Sequence, residues 1–413
     1  MKILAVGLCF AALLAGCDKA MDKRLREEQV RNETESMREA EEAEALPKYA
    51  TIWRQTEFAA NLYREAVARQ HGNVVLSPYG VASVFSLLGT GARGDTQKAF
   101  SKVLCLDVAD TNAVAKMFSE IKAGMPSSVV SISDSIWLVD KKARILPEFM
   151  NYAQNGFGVE ARTVGLAALY PSINKYVCEK THGMISRLLD GSPDPLTRLA
   201  VVNTVYFKGK WAKKFNSSKT RKSVFHAPTG DVQVQFMNDK RKAHLADLNG
   251  LEILRLPYRS VPIEAVFILP PVGRDMKDVE GMLNLLTRAI SGMTQHPYWY
   301  WGDVEISIPK FEFESTHDLR PILSSMGLGV AFGSGADFSE ISAVEDLYVG
   351  KTLQKAKIRV DEEGTEAAAA TAAVASEGRV RVSLPFIADR PFMFVIRNVL
   401  DNTILFMGCV VKP

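Results

Sequence analysis

The sequence lacks the short motifs that mark common enzymes and metal sites. Its 413 residues contain neither a G-x-S-x-G nucleophile elbow nor a Walker phosphate loop. The six histidines are scattered without an H-E-x-x-H pattern, and the five cysteines have no metal-ligand spacing. A Ser-His-Asp triad leaves no fixed spacing in a sequence, but nothing here points to one. We therefore expect a protein that is not an enzyme and that uses no cofactor and no metal.

A strong charge of one sign is also missing. The chain has 50 Lys and Arg against 47 Asp and Glu, and no basic run interleaves with aromatic residues. Nucleic-acid binding is therefore not expected. With 47% hydrophobic and 23% charged residues, the composition is that of a folded protein with a sizeable core. No internal repeat and no linker-like composition follows residue 50, so one folded domain is expected over residues 49–413.

The first residues combine one lysine, an apolar core and a small-residue end. This pattern indicates a secretion signal, and it is too short for a spanning helix of about 20 residues. The tetrapeptide LAGC, which ends at Cys17, resembles the bacterial lipobox. That resemblance implies a signal peptide over residues 1–16 and a lipid on Cys17, which would anchor an exported protein to the bacterial cell envelope. The alternative is an ordinary signal peptide with an incidental cysteine.

Two further features concern the N-terminal part and the thiols. Asp18 resembles the inner-membrane retention signal of enteric bacteria, but other phyla do not all follow that rule, so the choice between inner and outer membrane stays open. Residues 17–48 are dense in Glu, Lys and Arg, which predicts a charged tether, with an interaction helix as the alternative.

The remaining cysteines are expected to be buried free thiols. They are Cys105, Cys178 and Cys409.

Residues 360–384, VDEEGTEAAAATAAVASEGRVRVSL, are poorer in bulky side chains than the rest of the chain. Alanine favours helix, so one interpretation is an exposed helix or a linker. The other is a strand whose alternation places small uncharged side chains on one face, from Thr365 to Ala375. Such a segment could enter a sheet without steric or desolvation cost. The stretch alone does not decide between these interpretations.

The neighbouring residues resemble those of the serpin family. The sequence EEGTEA followed by further alanines is similar to the hinge of the serpin reactive-centre loop, and DRPFMF and ILFMG are similar to the closing strands of that family. The resemblance extends back to about Tyr49. It places the hinge at Glu362, Glu363, Gly364, Thr365, Glu366, Ala367, Ala368, Ala369 and Ala370.

The resemblance implies both a fold and a mechanism. The fold would be α+β, with a mixed main β-sheet, smaller sheets, about eight to nine helices and a mobile reactive-centre loop. The function would be irreversible suicide inhibition of serine or cysteine proteases by a monomer, which traps the acyl-enzyme when the cleaved loop inserts into the main sheet. The 15 residues from Gly364 to Gly378 span roughly 50 Å as a strand, enough to cross a domain of this size.

The resemblance also implies a polar cluster that controls opening of the main sheet. Its predicted members are Ser77, Asn203, Gln354 and Trp211. Asn203 lies within the apolar run 199–208, where a buried amide must find partners. For Trp211, core packing is the simpler interpretation, and both roles can hold. Two positions depart from the family: Gly80 stands where a second serine is usual, and Gln354 where a histidine is usual. We expect Gln354 to bond Asn203 in a rewired cluster, which puts inhibitory efficiency in doubt.

The target protease is the least specified part of this prediction. Counting from Gly364 forward and from Phe386 backward places the cleaved bond at Gly378–Arg379, although glycine offers a protease pocket nothing to hold. A shift by one residue gives cleavage between Arg379 and Val380, which suits a trypsin-like enzyme. An elastase-like enzyme that cuts after Val374 or Ala375 is the alternative. The rival function is a non-inhibitory serpin that acts as a binding protein or a protease substrate.

Overall fold

A computed structural model of the protein describes residues 55–127, 129–139, 145–181, 183, 185–290, 299–343, 347–364 and 383–413. Nine α-helices lie among these residues, in agreement with the number expected. They are α1 (55–67), α2 (Pro78–Thr90), α3 (Gly94–Leu104), α4 (Thr111–Ala123), α5 (Pro147–Tyr152), α6 (Leu169–Lys180), α7 (Met276–Gly281), α8 (Leu283–Ile290) and α9 (Leu319–Leu323). None of the helices described here is long and apolar enough to span a membrane.

Five strands form a mixed sheet, called the main sheet below. They are β2 (Val130–Val139), β3 (Glu160–Val164), β4 (Leu199–Phe207), β10 (Phe311–Asp318) and β11 (Val349–Val360). Their spatial order is β10-β11-β4-β2-β3. The pairs β11–β4 and β2–β3 are parallel, whereas β10–β11 and β2–β4 are antiparallel. The expected α+β fold with a mixed main sheet is therefore present.

The other described strands form one continuous ladder. They are β1 (Val74–Leu76), β5 (Arg221–Ala227), β6 (Gly230–Leu248), β7 (Leu251–Pro257), β8 (Ile263–Leu269), β9 (Tyr300–Pro309), β12 (Leu384–Ile387), β13 (Phe392–Asn398) and β14 (Ile404–Val410). The order is β1-β14-β13-β8-β7-β6-β9-β12, with β5 beside β6. The 19-residue strand β6 pairs with β5, β7 and β9, and thereby joins what the sequence predicts as separate smaller sheets.

Strand β4 shows why a nearly continuous apolar run lies inside the main sheet. Side chains alternate between the two faces of a strand, so a strand covered on both sides needs apolar residues at successive positions. Val201 and Val205 belong to the large core that includes α2, whereas Ala200 and Val202 pack with α6 in a second core. Asn203 lies between Val201 and Val205 on the same face of β4 and is completely buried.

Two elements end close to residues with distinctive contacts. Helix α6 ends at Lys180, after which the hydroxyl of Thr181 donates to the carbonyl of Val177. Strand β9 ends at Pro309 and β10 begins at Phe311 in the other sheet; Lys310 lies between them, and its amide donates to Gln235 O of β6.

One side-chain prediction needs correction. Among the free cysteines, only Cys409 is buried, whereas Cys105 and Cys178 are partly exposed. In the aromatic run 297–301, Trp299 contacts the core and lies under the guanidinium of Arg255. Tyr300 and Trp301 are instead exposed, at 38% and 57%. Pro297 and Tyr298 lie outside the described residues.

Candidate functional site: the hinge and the sheet-opening cluster

The parallel pair β4–β11 lies inside the main sheet and leads directly to the hinge. Residues Val349 to Lys357 of β11 pair with Leu199 to Tyr206 of β4. Strand β11 ends at Val360, and the hinge begins two residues later. The structure describes its first three residues, Glu362, Glu363 and Gly364. The remaining predicted site residues lie outside the described residues, and their roles stay predictions: Thr365, Glu366, Ala367, Ala368, Ala369, Ala370, Gly378, Arg379, Val380 and Cys17.

Two acids of the hinge are held by cations from distant parts of the chain. The carboxylate of Glu362 lies 2.7 Å from Lys310 Nζ and accepts a 2.7 Å hydrogen bond from Thr220 Oγ1. Glu363 forms an ion pair with Lys214. Burial alone would raise the pKa of Glu362, but the bonds from Lys310 and Thr220 prevail and lower it. The hinge therefore begins as a charged, well-anchored segment.

Gly364 is required by a close approach of two backbones. It has a φ of +152° and forms a bridge with Lys210. A Cβ at this position would lie 2.7 Å from Lys210 Cα and 2.9 Å from Gly209 C, in addition to a closer contact with Gly209 O. Glycine is the residue that tolerates both this dihedral angle and this contact. The hinge glycine recognised in the sequence thus has a physical reason.

Trp211 ties the hinge to the rest of the protein. Its indole Nε1 donates a 2.9 Å hydrogen bond to the carbonyl of Asp361, and its backbone amide donates to Glu363 O at 3.0 Å. The ring is 1% exposed and stacks on Tyr258, with centroids 4.7 Å apart. Core packing and contact with the hinge therefore both hold. Trp211 is therefore not part of the predicted polar cluster: it bonds residues at the hinge, and no hydrogen bond joins it to Ser77, Asn203 or Gln354 among the described residues.

The other three predicted members of the cluster come together in one buried network. Gln354 Nε2 donates to Asn203 Oδ1 at 2.5 Å and to the carbonyl of Ser77 at 2.9 Å. Its Oε1 accepts from the amide of Ser77 at 2.9 Å. The expected contact between Gln354 and Asn203 is therefore present. One side chain of β11 links β4 to the residue that caps α2, because Ser77 Oγ accepts from Gly80 N.

Gly80 is explained by the position of the Asn203 side chain. A Cβ at residue 80 would lie 2.6 Å from Oδ1 and 2.8 Å from Cγ of Asn203. The space that a serine would need at residue 80 is thus taken by the amide that Gln354 engages. The two departures from the family pattern, at Gly80 and at Gln354, therefore both lie against the side chain of Asn203.

Sequence reasoning missed Asp134, which completes the network. Asn203 Nδ2 donates to Asp134 Oδ1 across the β2–β4 pair, and the Ser83 hydroxyl also bonds the carboxyl group. Asp134 is 6% exposed, and burial raises its pKa to about 6. The only signal in the sequence is an acid within the strand SISDSIWLV, which the alternation of an exposed strand would explain equally well.

Comparison with known proteins identifies the family of this chain. The family model described as serpin (serine protease inhibitor) matches residues 54–413. The chain belongs to the serpin family. Leukocyte elastase inhibitor of Sus scrofa is 32% identical to this serpin over 373 residues, which cover 87% of this chain and 98% of the relative. Plasminogen activator inhibitor 1 of Sus scrofa is 32% identical over 377 residues, which cover 87% and 91%.

A solved structure supports the fold of this serpin. The native state of tengpin, a thermophilic serpin, matches with a TM-score of 0.80 over 88% of this chain and 94% of tengpin, at 23% identity. The relatives named as inhibitors support protease inhibition as the function. The family is described as inhibitors of serine proteases rather than as catalysts.

Proposed function

We propose that this serpin is an irreversible suicide inhibitor of serine proteases, with cysteine proteases as a second target class. Insertion of a cleaved reactive loop into the main sheet is the known behaviour of the family. The observation that carries the proposal is the hinge at the end of β11, beside the parallel neighbour β4. A chain that reverses at Gly364 can enter between these two parallel strands and pair antiparallel with both.

Insertion requires the β4–β11 ladder to part, and the polar network sits on that ladder. Gln354 and Asn203 are directly paired residues in it. The ladder that must part thus carries buried side-chain hydrogen bonds in addition to its backbone pairing, and the inserted strand would supply new backbone partners to both strands. Small side chains in the predicted loop suit this entry, since a charge buried in the sheet would cost several kcal/mol.

We further propose a trypsin-like target that is cleaved after Arg379, with an elastase-like target as the alternative. Arg379 is the basic residue next to the bond that counting selects, and a relative named leukocyte elastase inhibitor supports testing elastase as well. The lipobox supports a lipid on Cys17 and a position at the bacterial cell envelope. An inhibitor tethered there would act on proteases that reach the surface.

The proposal is tested by mixing the purified protein with trypsin and, separately, with neutrophil elastase. Trapping predicts a band of summed mass that survives boiling on a denaturing gel, and mass spectrometry of the released C-terminal peptide identifies the cleaved bond. The matched variant Thr365→Arg should be cleaved without forming that band. Clean cleavage of the unmodified protein by both proteases, without the band, would favour the non-inhibitory function and implicate Gly80 and Gln354.

A further inference from the structure

A cavity of about 190 Å³ lies behind the main sheet, between α2, α4, the turn that follows α5, and β2. Tyr79, Ile132 and Phe157 line its apolar part. Ser83, Asp134 and Lys122 line its polar part. A cavity of about 150 Å³ is enough to hold benzene, so this one has room for a ligand of about seven non-hydrogen atoms.

The carboxylate of Asp134 in this cavity has no cation in direct contact. Two other buried carboxylates are paired with arginines: Asp239 with Arg241 at 2.7 Å, and Glu264 with Arg397 at 2.8 Å. Asp134 bonds only neutral groups, the Asn203 amide and the Ser83 hydroxyl, and forms no salt bridge within the part of the chain that the structure describes. A buried carboxylate is costly to ionise unless a cation accompanies it. Lys122 lowers the pKa of Asp134 from a distance without contacting it, so the carboxylate in the cavity still lacks a cation in direct contact.

A positive charge lies elsewhere on the cavity wall. Lys122 Nζ donates to the carbonyls of Phe157 at 3.2 Å and Gly158 at 3.5 Å, and Gly158 leaves room for it because a Cβ there would collide with the ammonium group. The residue is exposed, so this charge faces solvent. A simple cation at Asp134 would be repelled by Lys122, whereas a ligand with one charge of each sign would satisfy both residues.

We propose that this cavity binds a small amino acid, with its ammonium group on Asp134 and its carboxylate on Lys122. The bound ammonium would hold Asp134 in place, and Asp134 holds the amide of Asn203 that Gln354 engages. Because the ligand would bind the closed sheet, it would stabilise that state by mass action. The consequence for inhibition, slower loop insertion, rests on the proposed function, whereas the binding does not.

The test is calorimetric titration and thermal unfolding of the full-length protein at pH 7.5 with glycine, β-alanine and 4-aminobutyrate, and with 6-aminohexanoate as a compound longer than the cavity should hold. Butylamine and butyrate serve as matched compounds that each lack one charge. We expect saturable binding and a rise in Tm of several degrees for at least one chain length, and a smaller effect from either matched compound. At pH 4.5, where Asp134 is protonated, the effect should be reduced at least threefold.

Two variants separate this site from non-specific stabilisation by amino acids. Asp134→Asn should abolish saturable binding, and Lys122→Gln should remove the advantage of the amino acid over butylamine. If Asp134→Asn does not fold, Lys122→Gln and the pH comparison still decide. A Tm rise that is linear in concentration and equal in all three proteins, or no saturable heat with any of the three shorter amino acids, overturns the proposal. Saturable binding by a protein that traps no protease would instead contradict the proposed function alone.

Discussion

The side-chain amide of Gln354 donates a 2.5 Å hydrogen bond to Asn203 Oδ1, and thereby joins the two strands that would have to separate for a loop to insert. The same side chain also accepts a hydrogen bond from the amide of Ser77 and donates one to the carbonyl of Ser77. A family position usually filled by histidine is thus filled by an amide that satisfies three partners at once. Separation of β4 from β11 must break the bond between Gln354 and Asn203.

Substitution of Gln354 by Met should lower the free energy of unfolding by about 2–6 kcal/mol. The change keeps the approximate size of the side chain but leaves the buried amide of Ser77 and the Asn203 oxygen without this partner, and each such group costs about 1–3 kcal/mol. The carbonyl of Ser77 keeps its bond from Val81 N. Urea denaturation measures the loss. The control is Gln233→Met, on the exposed side of β6. Equal stabilities of the two variants would contradict the role of the network.

Substitution of Gly80 by Ser should destabilise the protein by about 1–3 kcal/mol, because the new Cβ overlaps the Asn203 side chain. If Gly80 and Gln354 belong to one rearrangement, Gly80→Ser together with Gln354→His should cost less than the sum of the single changes. A double-mutant cycle by thermal or urea unfolding measures this coupling. Gly281→Ser is the matched control, since a Cβ there meets no atom within 4 Å. Strict additivity would show that the two departures are unrelated.

The sequence predicts the main features of this site because they are local. A continuous apolar run specifies the interior strand β4, and the hinge motif specifies Gly364, whose backbone contact then explains the motif. The partners of the hinge acids could not be predicted in this way. Lys214 is 149 residues from Glu363, and Thr220 and Lys310 are 142 and 52 residues from Glu362. Only the pairing of strands brings them together. Asp134 was missed for the same reason, since it is the packing of α2 against β2 that brings Ser83 to its carboxyl group.

The buried carboxyl group of Asp134 should make stability depend on pH. Its pKa in the native protein is about 6, against an ordinary value of 3.8. The native state therefore holds an extra proton between these values, so the contribution of Asp134 to stability is full below pH 3.8 and is lost as the pH rises through 6. The loss is about 3 kcal/mol.

The measurement is the difference in free energy of unfolding between the unmodified protein and Asp134→Asn from pH 4 to pH 8. The free energy of unfolding of the variant, relative to that of the unmodified protein, should rise from pH 4 to pH 6 and stay constant above about pH 6.5. Groups that titrate nearby remain in both proteins and cancel in the difference, including His317, whose pKa is lowered by burial. A difference that does not change with pH would rule out a raised pKa for Asp134.

Removal of the Lys310 charge should release the hinge. In Lys310→Met, Glu362 keeps its bond to Thr220 but loses the ammonium 2.7 Å away, and a partly exposed pair of this kind contributes about 1 kcal/mol. If this pair is lost when the hinge moves, spontaneous insertion of the uncleaved loop should become about fivefold faster. The decay of protease-trapping activity at 37 °C measures that rate, and the inactive product should be more heat-stable than the starting protein.

Lys351→Met, which removes a 3.3 Å pair with Asp318 elsewhere on the main sheet, should leave the rate unchanged. Equal decay rates for both variants would show that the pair does not restrain the hinge. In 1 M NaCl, the unmodified protein should approach the rate of Lys310→Met, since screening weakens an exposed ion pair.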